Sequence, residues 1–255
     1  MTLSALAGKT AAVIPARYQS SRFPGKPLAR ETGKPLIQHV VEQVRHSKLA
    51  DLVLVATDDQ RIFDAVESFG AKAVMTHTDH PNGTSRIAQA IENLPAEYDL
   101  IVNVQGDEPE IEPHLIDLLI ERLRADTMAP MATLASPFAN DENPADPNIV
   151  KLVVNRRGHA MYFSRSLIPF DRDGMGHRPL KHPGMYAYRR SFLMEYVQLP
   201  PSPLEQLEQL EQLRALENGY PIAVVQTVVR HHGIDTPQQY AEFVRRVMGT
   251  STNSH

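Results

Sequence analysis

Three cations share one loop: the segment Ile14-Pro-Ala-Arg-Tyr-Gln-Ser-Ser-Arg-Phe-Pro-Gly-Lys-Pro27 places Arg17, Arg22 and Lys26 directly after an apolar run. Backbone N–H groups joined by Arg and Lys beyond the carboxyl end of a strand suit a polyphosphate. The same residues also read as a solvated basic loop. The spacing of Ser20, Ser21, Pro24 and Gly25 favours the anion site, with Ala16 and Arg17 counted among the nucleotide contacts. No Gly-x-x-x-x-Gly-Lys-Ser/Thr occurs, and Gly174-x-Gly176 lacks the third glycine of a dinucleotide fingerprint.

A second run, Asn103-Val-Gln-Gly-Asp-Glu-Pro109, puts Gln105, Asp107 and Glu108 where a buried strand opens into a ligand crevice. A carboxylate there commonly holds Mg²⁺, which takes one or two carboxylates and completes its shell with substrate phosphates. Gly-Asp and Glu-Pro equally favour a plain turn. Asp235 precedes Thr236 and Pro237, so either Asp235 or Thr236 reads as a helix N-cap. His231 and His232 are adjacent, point apart on a strand and make a poor zinc pair. In Asp79-His-Pro-Asn-Gly-Thr-Ser-Arg86, Gly83 permits close backbone approach and Arg86 enters a first helical turn. A base or phosphate could rest there, beside His80; a loop capped by Thr84 is as good a reading. Ser164, Arg165, His182, Tyr186, Glu208, Glu211, Gln212 and Arg214 could recognise a hydroxylated acid, although singly each reads as surface.

The elements that must position these residues follow from periodicity. Thr10–Ile14, Leu52–Ala56, Ala71–Met75 and Leu100–Val104 are short apolar runs of strand length. Between them Leu36, Val40, Val41 and Val44, then Ile62, Ala65, Val66 and Phe69 before Gly70, then Ile87, Ala88 and Ile91, repeat at helical spacing. Near-continuous apolar strands alternating with helices predict a parallel sheet buried on both faces, an α/β fold of three layers. After Met128 the strand-like pieces Met131–Ala135, Val150–Asn155, His159–Phe163 and Met185–Tyr188 follow one another with few long helices between. Residues 137–190 therefore read as a β excursion that covers a site or meets a second subunit, within one domain spanning 1–255. Ser202 to Asn218 reads as helix, its leucines three apart and so drifting around the axis rather than forming a heptad. A strand at Ile222–Val225 and a helix at Pro237–Met248 precede a polar tail, 249–255, expected to be disordered.

Composition bounds the function. The chain has 255 residues, 26 Lys plus Arg against 30 Asp plus Glu, and no cysteine. No overall basic field attracts nucleic acid or acidic lipid, so an anion site must be local. Thiolate metal sites and cysteine nucleophiles are excluded. No apolar stretch approaches the roughly 20 residues of a membrane span, and a cytoplasmic chain is expected.

Taken together these segments resemble the 3-deoxy-manno-octulosonate (KDO) cytidylyltransferases. The resemblance rests on Pro15-Ala-Arg-Tyr with Ser21-Arg-Phe-Pro-Gly-Lys-Pro27, Ala56-Thr-Asp-Asp59, His80-x-x-Gly-Thr-x-Arg86, Asn103-Val-Gln-Gly-Asp-Glu-Pro109, Tyr162-Phe-Ser-Arg165, Ser202-Pro-Leu-Glu205, Glu211-Gln-Leu-Arg214 and Gly233-Ile-Asp-Thr-Pro237. It implies a Rossmann-like, GT-A-like nucleotidyltransferase sandwich with a mixed central sheet, a homodimer, and transfer of CMP from CTP to the anomeric hydroxyl of KDO with loss of pyrophosphate. It also implies Mg²⁺ on Asp107 and Asp235, and a triphosphate on Arg17, Ser21, Arg22 and Lys26. The loop of His80, Gly83 and Arg86 would face the base, and Arg165, His182, Tyr186, Glu211 and Gln212 the sugar acid, with Gln105, counted with the nucleotide contacts, nearby. Asn82 stands where the family more often has serine, and Pro183 where an aliphatic residue is usual. A nucleotide-sugar-binding module without turnover would lack a metal carboxylate or the cationic loop, and both are present. A glycosyltransferase would use an Asp-x-Asp pair, for which only Asp171-Arg-Asp173 has the spacing.

Overall fold

A computed structural model describes residues 8–20, 22–230 and 233–251. By their internal contacts they form two compact units. The first comprises Lys9–Tyr98, Asn103–Asp117 and the described residues after 230; the second comprises Gly8, Asp99–Val102 and Leu118–Arg230.

In the first unit, strands β1 (Lys9–Ala16), β2 (Leu52–Thr57) and β3 (Lys72–Met75) lie in the order β3-β2-β1, all parallel. Ala11, Ala12, Val13 and Ile14 are all fully buried. Successive strand residues point to opposite faces, so an unbroken buried run means that both faces of β1 are covered, as the near-continuous apolar sequence predicts. The cover comes from α1 (Leu36–Val44), α2 (Gln60–Ser68) and α3 (Gly83–Ala90). Asp59 caps α2 by accepting from Arg61 N at 2.9 Å, and Asn82 caps α3 by accepting from Ser85 N at 2.9 Å. Thr84, read as that cap, is instead buried inside the helix. Asn82 is thus a helix N-cap in this chain.

The closing helix α8 (Pro237–Ser251) takes in 249–251, the start of the segment expected to be tail. Its Tyr240 and Phe243 form an apolar cluster with Leu36 and Ile234, against which Phe23 and Ala29 pack. That cluster holds the 233–235 segment beside the cationic loop. Thr236 and Gln239 form a reciprocal cap at the start of α8: Gln239 N donates to Thr236 Oγ1 at 3.3 Å, and Thr236 N to Gln239 Oε1 at 3.0 Å. Of the two candidate caps, Thr236 is the one used, which leaves the Asp235 carboxylate for other partners.

The second unit is mixed. Its strands run β4 (Tyr98–Asn103), β9 (Tyr186–Arg189), β5 (Met131–Pro137), β8 (Leu180–Lys181), β6 (Lys151–Val154) and β7 (Ala160–Ser164), in that order. β5 pairs antiparallel with β9 and β8, and β10 (Ile222–Gln226) pairs parallel with β5. Helices α4 (Pro113–Ala125) and α5 (Arg190–Tyr196) were not foreseen from periodicity. The helix expected over 202–218 is broken into α6 (Pro203–Glu208) and α7 (Gln212–Glu217). The break is at Gln209, held at φ 54°, the left-handed region that ends a helix. No glycine marks it, so the local sequence carries no stop signal there.

Candidate active site

The cationic loop leaves the carboxyl end of β1. Gly25, at φ 72°, turns the chain into a single 3₁₀ turn at Lys26–Leu28, anchored by the buried Pro27. Lys26 is thereby aimed inward, with its side chain only 12% exposed. Its Nζ donates to Asp107 Oδ2 at 2.8 Å and to the Ile234 carbonyl at 2.6 Å. Ile234 N in turn donates to the Asp107 carbonyl at 2.8 Å, tying the 233–235 and 105–107 segments together. Gly106 is required by close approach: a Cβ there would lie 2.7 Å from the Pro15 carbonyl oxygen. Ala16, Arg17, Ser20, Lys26, Gln105 and Asp107 line one pocket. Arg22 reaches Asp235, NH2 to Oδ1, at 2.9 Å. Ser21, read as a phosphate contact, lies outside the described residues, as do His231 and His232.

Asp107 and Asp235 are the oxygen donors expected of a magnesium site, on segments locked to each other through Ile234. Among the described residues no cluster of three or more His, Cys, Asp or Glu is placed to hold a metal. A two-carboxylate set still fits a hard cation that takes the rest of its shell from substrate phosphates and water.

Arg17 donates from NH2 to the His80 carbonyl at 2.6 Å, joining the cationic loop to the segment before α3. Burial, and secondarily the Arg86 charge, depress the Arg17 guanidinium below the ordinary arginine range. It remains a cation at any working pH. Gln89 Oε1 accepts from His77 N at 2.8 Å and meets His80 Nε2 at 2.6 Å, so His80 carries its proton on Nε2. Gly83 packs on Pro15, where a Cβ would meet Cγ at 3.2 Å.

Arg86 has partners other than a nucleotide. It is fully buried, donating to Thr76 Oγ1 at 2.5 Å and to Asp58 Oδ2 at 2.7 Å. Among the described residues its Nε has no hydrogen-bond partner. Arg86 therefore sets the N-terminus of α3 and the loop before it, and Asp58 and Thr76 are members of that framework that sequence reasoning did not single out. The Ala56-Thr-Asp-Asp59 block was the available signal: Asp59 is the cap and Asp58 the ion-pair partner.

In the second unit His182 and Tyr186 meet in an aromatic wall, and the Glu211 carboxylate lies close enough to act on Tyr186. The His182 ring lies 4.9 Å from Phe163 and 5.3 Å from Tyr186, centroid to centroid. Thr133 gives its hydroxyl proton to the Met185 carbonyl at 2.7 Å, so the 2.8 Å contact with His182 is donated by Nε2–H. Burial pushes His182 down to about 3, keeping it neutral. Tyr186 is raised well above the usual phenol range by burial and by the Glu211 charge. Gln212 is buried, and among the described residues its Nε2 has no hydrogen-bond partner. A buried amide left without an acceptor is costly and points to a ligand oxygen.

Arg165 is committed elsewhere. Its Nε donates to the Glu208 carbonyl at 2.7 Å, NH1 to the Pro147 carbonyl at 3.0 Å and NH2 to the Gln209 carbonyl at 3.4 Å. Its own carbonyl accepts from the buried Lys151 Nζ at 2.5 Å, which also donates to the Asp146 and Ile149 carbonyls. Arg165 and Lys151 thus fasten the 146–149 segment to α6, a framework the sequence did not reveal.

Comparison with known proteins gives concordant results. Residues 11–227 match the family model described as Cytidylyltransferase. The 3-deoxy-manno-octulosonate cytidylyltransferase of Syntrophotalea carbinolica is 49% identical over 247 residues, covering 93% of this chain and 98% of that protein. That of Syntrophobacter fumaroxidans is 50% identical over 229 residues, covering 89% of this chain and 92% of that protein. A solved CMP:2-keto-3-deoxy-manno-octonic acid synthetase complexed with CTP superposes with a TM-score of 0.89 at 46% identity, covering 95% of this chain and 99% of that one. A cytidylyltransferase from Leptospira borgpetersenii shares the fold at 16% identity, with a TM-score of 0.63 over 95% of this chain and 87% of that one.

Proposed function

The chain belongs to the 3-deoxy-manno-octulosonate cytidylyltransferase family, and we infer that it is a nucleotidyltransferase moving CMP from CTP to KDO with release of pyrophosphate. The observation that carries this reading is the loop–carboxylate arrangement of Arg17, Arg22, Lys26, Asp107 and Asp235, in a fold shared with a synthetase solved with CTP. Asp107 and Asp235 are assigned to Mg²⁺, and the oxygen-only donor set supports that assignment. When bound with the nucleotide, the ion supplies charge neutralisation at the α-phosphate and acidifies the attacking hydroxyl.

The residues do the rest by position and charge. Arg17 and Lys26 take the triphosphate and stabilise the negative charge that accumulates on departing pyrophosphate. Attack by the sugar hydroxyl on the α-phosphorus needs no covalent enzyme intermediate. Arg86 acts indirectly, as a positioning residue for the loop holding His80 and Gly83. Gln212, Glu211, Tyr186 and His182 recognise the acceptor, His182 as a neutral imidazole and not as a general acid. Arg165 supports that site from behind by holding the 146–149 segment.

The product suits lipopolysaccharide synthesis, and a cytoplasmic location agrees with the use of CTP; no helix among the described residues is long and apolar enough to cross a membrane. A homodimer is supported by the large exposed apolar residues between 161 and 175: Met161, Leu167, Phe170 and Met175, the last two 87% exposed. Light scattering of Phe170→Ser should show a shift toward monomer.

Pyrophosphate release tests the function, with CTP, ATP, GTP or UTP against KDO, sialic acid or no acceptor. The reading requires CTP and KDO together. Release with sialic acid alone would discard the acceptor, and CTP binding without turnover would make the chain a binding module.

A further inference from the structure

The two carboxylates assigned to the metal are both already paired with cations of the loop assigned to the triphosphate. Resting on that assignment, we propose that the Lys26 ammonium is a resident stand-in for the divalent ion, which the triphosphate of CTP must draw away before the metal can bind. Lys26 Nζ sits 2.8 Å from Asp107 Oδ2 and 2.6 Å from the Ile234 carbonyl. A carboxylate and a backbone carbonyl are the oxygen ligands a hard cation takes. The side chain is 12% exposed and Asp107 30%, so the pair is shielded from solvent screening more than a surface ion pair. Arg22 neutralises Asp235 in parallel, at 65% and 45% exposure, as the looser of the two pairs.

Each of the two carboxylates is thus already paired with a cation in the nucleotide-free site. A divalent ion entering it must approach Asp107 against an ammonium already in hydrogen-bond contact with that carboxylate. Phosphate oxygens offer Lys26 and Arg22 equivalent acceptors, and once they move, both carboxylates are free. The exchange needs no backbone rearrangement. Gly25 and the buried Pro27 fix the base of the lysine stem, while the Ile234 N to Asp107 carbonyl bond holds the acidic segments together. Nucleotide and metal binding are therefore positively coupled, and by linkage each tightens the other by the same factor.

The probe is Mn²⁺, its free-ion paramagnetic resonance signal read in nucleotide-free protein, with circular dichroism as a check on folding. Lys26→Met should bind Mn²⁺ at least fivefold tighter than the native chain, and the charge-preserving Lys26→Arg should show no gain. The gain should vanish in the double variant Lys26→Met, Asp107→Asn. Arg22→Gln, at an exposed position that does not threaten folding, should tighten Mn²⁺ about twofold. Unchanged or weaker Mn²⁺ binding in a folded Lys26→Met overturns the stand-in, whatever Arg22→Gln shows. The metal assignment is tested separately on the native protein with CTP, after correction for Mn²⁺ held by free CTP. If Asp107→Asn leaves that binding intact, the assignment fails and the stand-in with it; if Asp107→Asn abolishes it while Lys26→Met shows no gain, only the stand-in fails.

Discussion

The cations of the first unit's loop and two framework cations of the second unit are held in different ways. In the first, carboxylates and cations face each other as side-chain pairs, Lys26 with Asp107 and Arg22 with Asp235, each able to trade its partner for a phosphate or a metal. In the second, Lys151 and Arg165 are satisfied by three backbone carbonyls apiece, and His182 is neutral. Exchangeable pairs suit a site whose charge changes during transfer. Cations fixed by carbonyls cannot trade partners without moving the chain, and they suit a site that must keep one shape to read hydroxyl groups. One device is nevertheless common to both. His39 in the first unit contacts Thr32 Oγ1 at 2.7 Å while that hydroxyl donates to the Lys34 carbonyl, repeating the His182, Thr133 and Met185 arrangement.

The sharpest break of this contrast is Asp107→Asn. It should fold and keep its CTP KM within about threefold while kcat falls roughly 10³-fold, because its charge acts on the transition state. Near-normal turnover in the pyrophosphate assay would remove the exchangeable pair from the chemistry. Arg86→Met tests framework charge instead, since it strands Asp58 at 16% exposure. Chemical unfolding should show a loss of about 3 kcal/mol, and a stable variant with a lost CTP preference would make Arg86 a direct base contact.

The shared histidines predict acid lability in both units. Burial pushes His39 to about 4 and His182 to about 3, both below the unfolded value. The unfolded chain therefore binds protons that the folded chain does not as pH falls below about 6.5, and stability drops. Between pH 7 and 5 each should contribute a loss of up to about 2 kcal/mol. Urea midpoints at the two pH values should diverge less in His39→Gln than in the native chain; an unchanged difference would contradict the burial argument. The smallest effect separates neighbours: Thr236→Ala should cost about 1 kcal/mol of stability with activity kept, whereas Asp235→Ala should do the reverse.

How far these features were legible depended on their range. The parallel strands of the first unit were readable because burial on both faces leaves near-continuous apolar runs such as Ala11–Ile14. The loop cations and Asp107 were readable as candidates because each sits at a strand end in a short segment. What an arginine touches is not local. Arg86 finds Asp58 from 28 positions away and Arg165 finds the Glu208 carbonyl from 43, so neither enclosure shows in the chain. The break at Gln209 was equally hidden, since a glutamine at φ 54° carries none of the glycine signature of a helix end. Thr236 and Asp235 were both plausible caps by type, and only Gln239, completing the reciprocal pair with Thr236, decides between them.

The division of labour between the units is tested most directly by steady-state pyrophosphate release from Gln212→Ala, with CTP and KDO varied in turn. The account predicts that the KM for KDO rises at least tenfold while the KM for CTP stays within twofold of the native value. A KM for CTP that rises in step, or a KM for KDO that does not move, would contradict it.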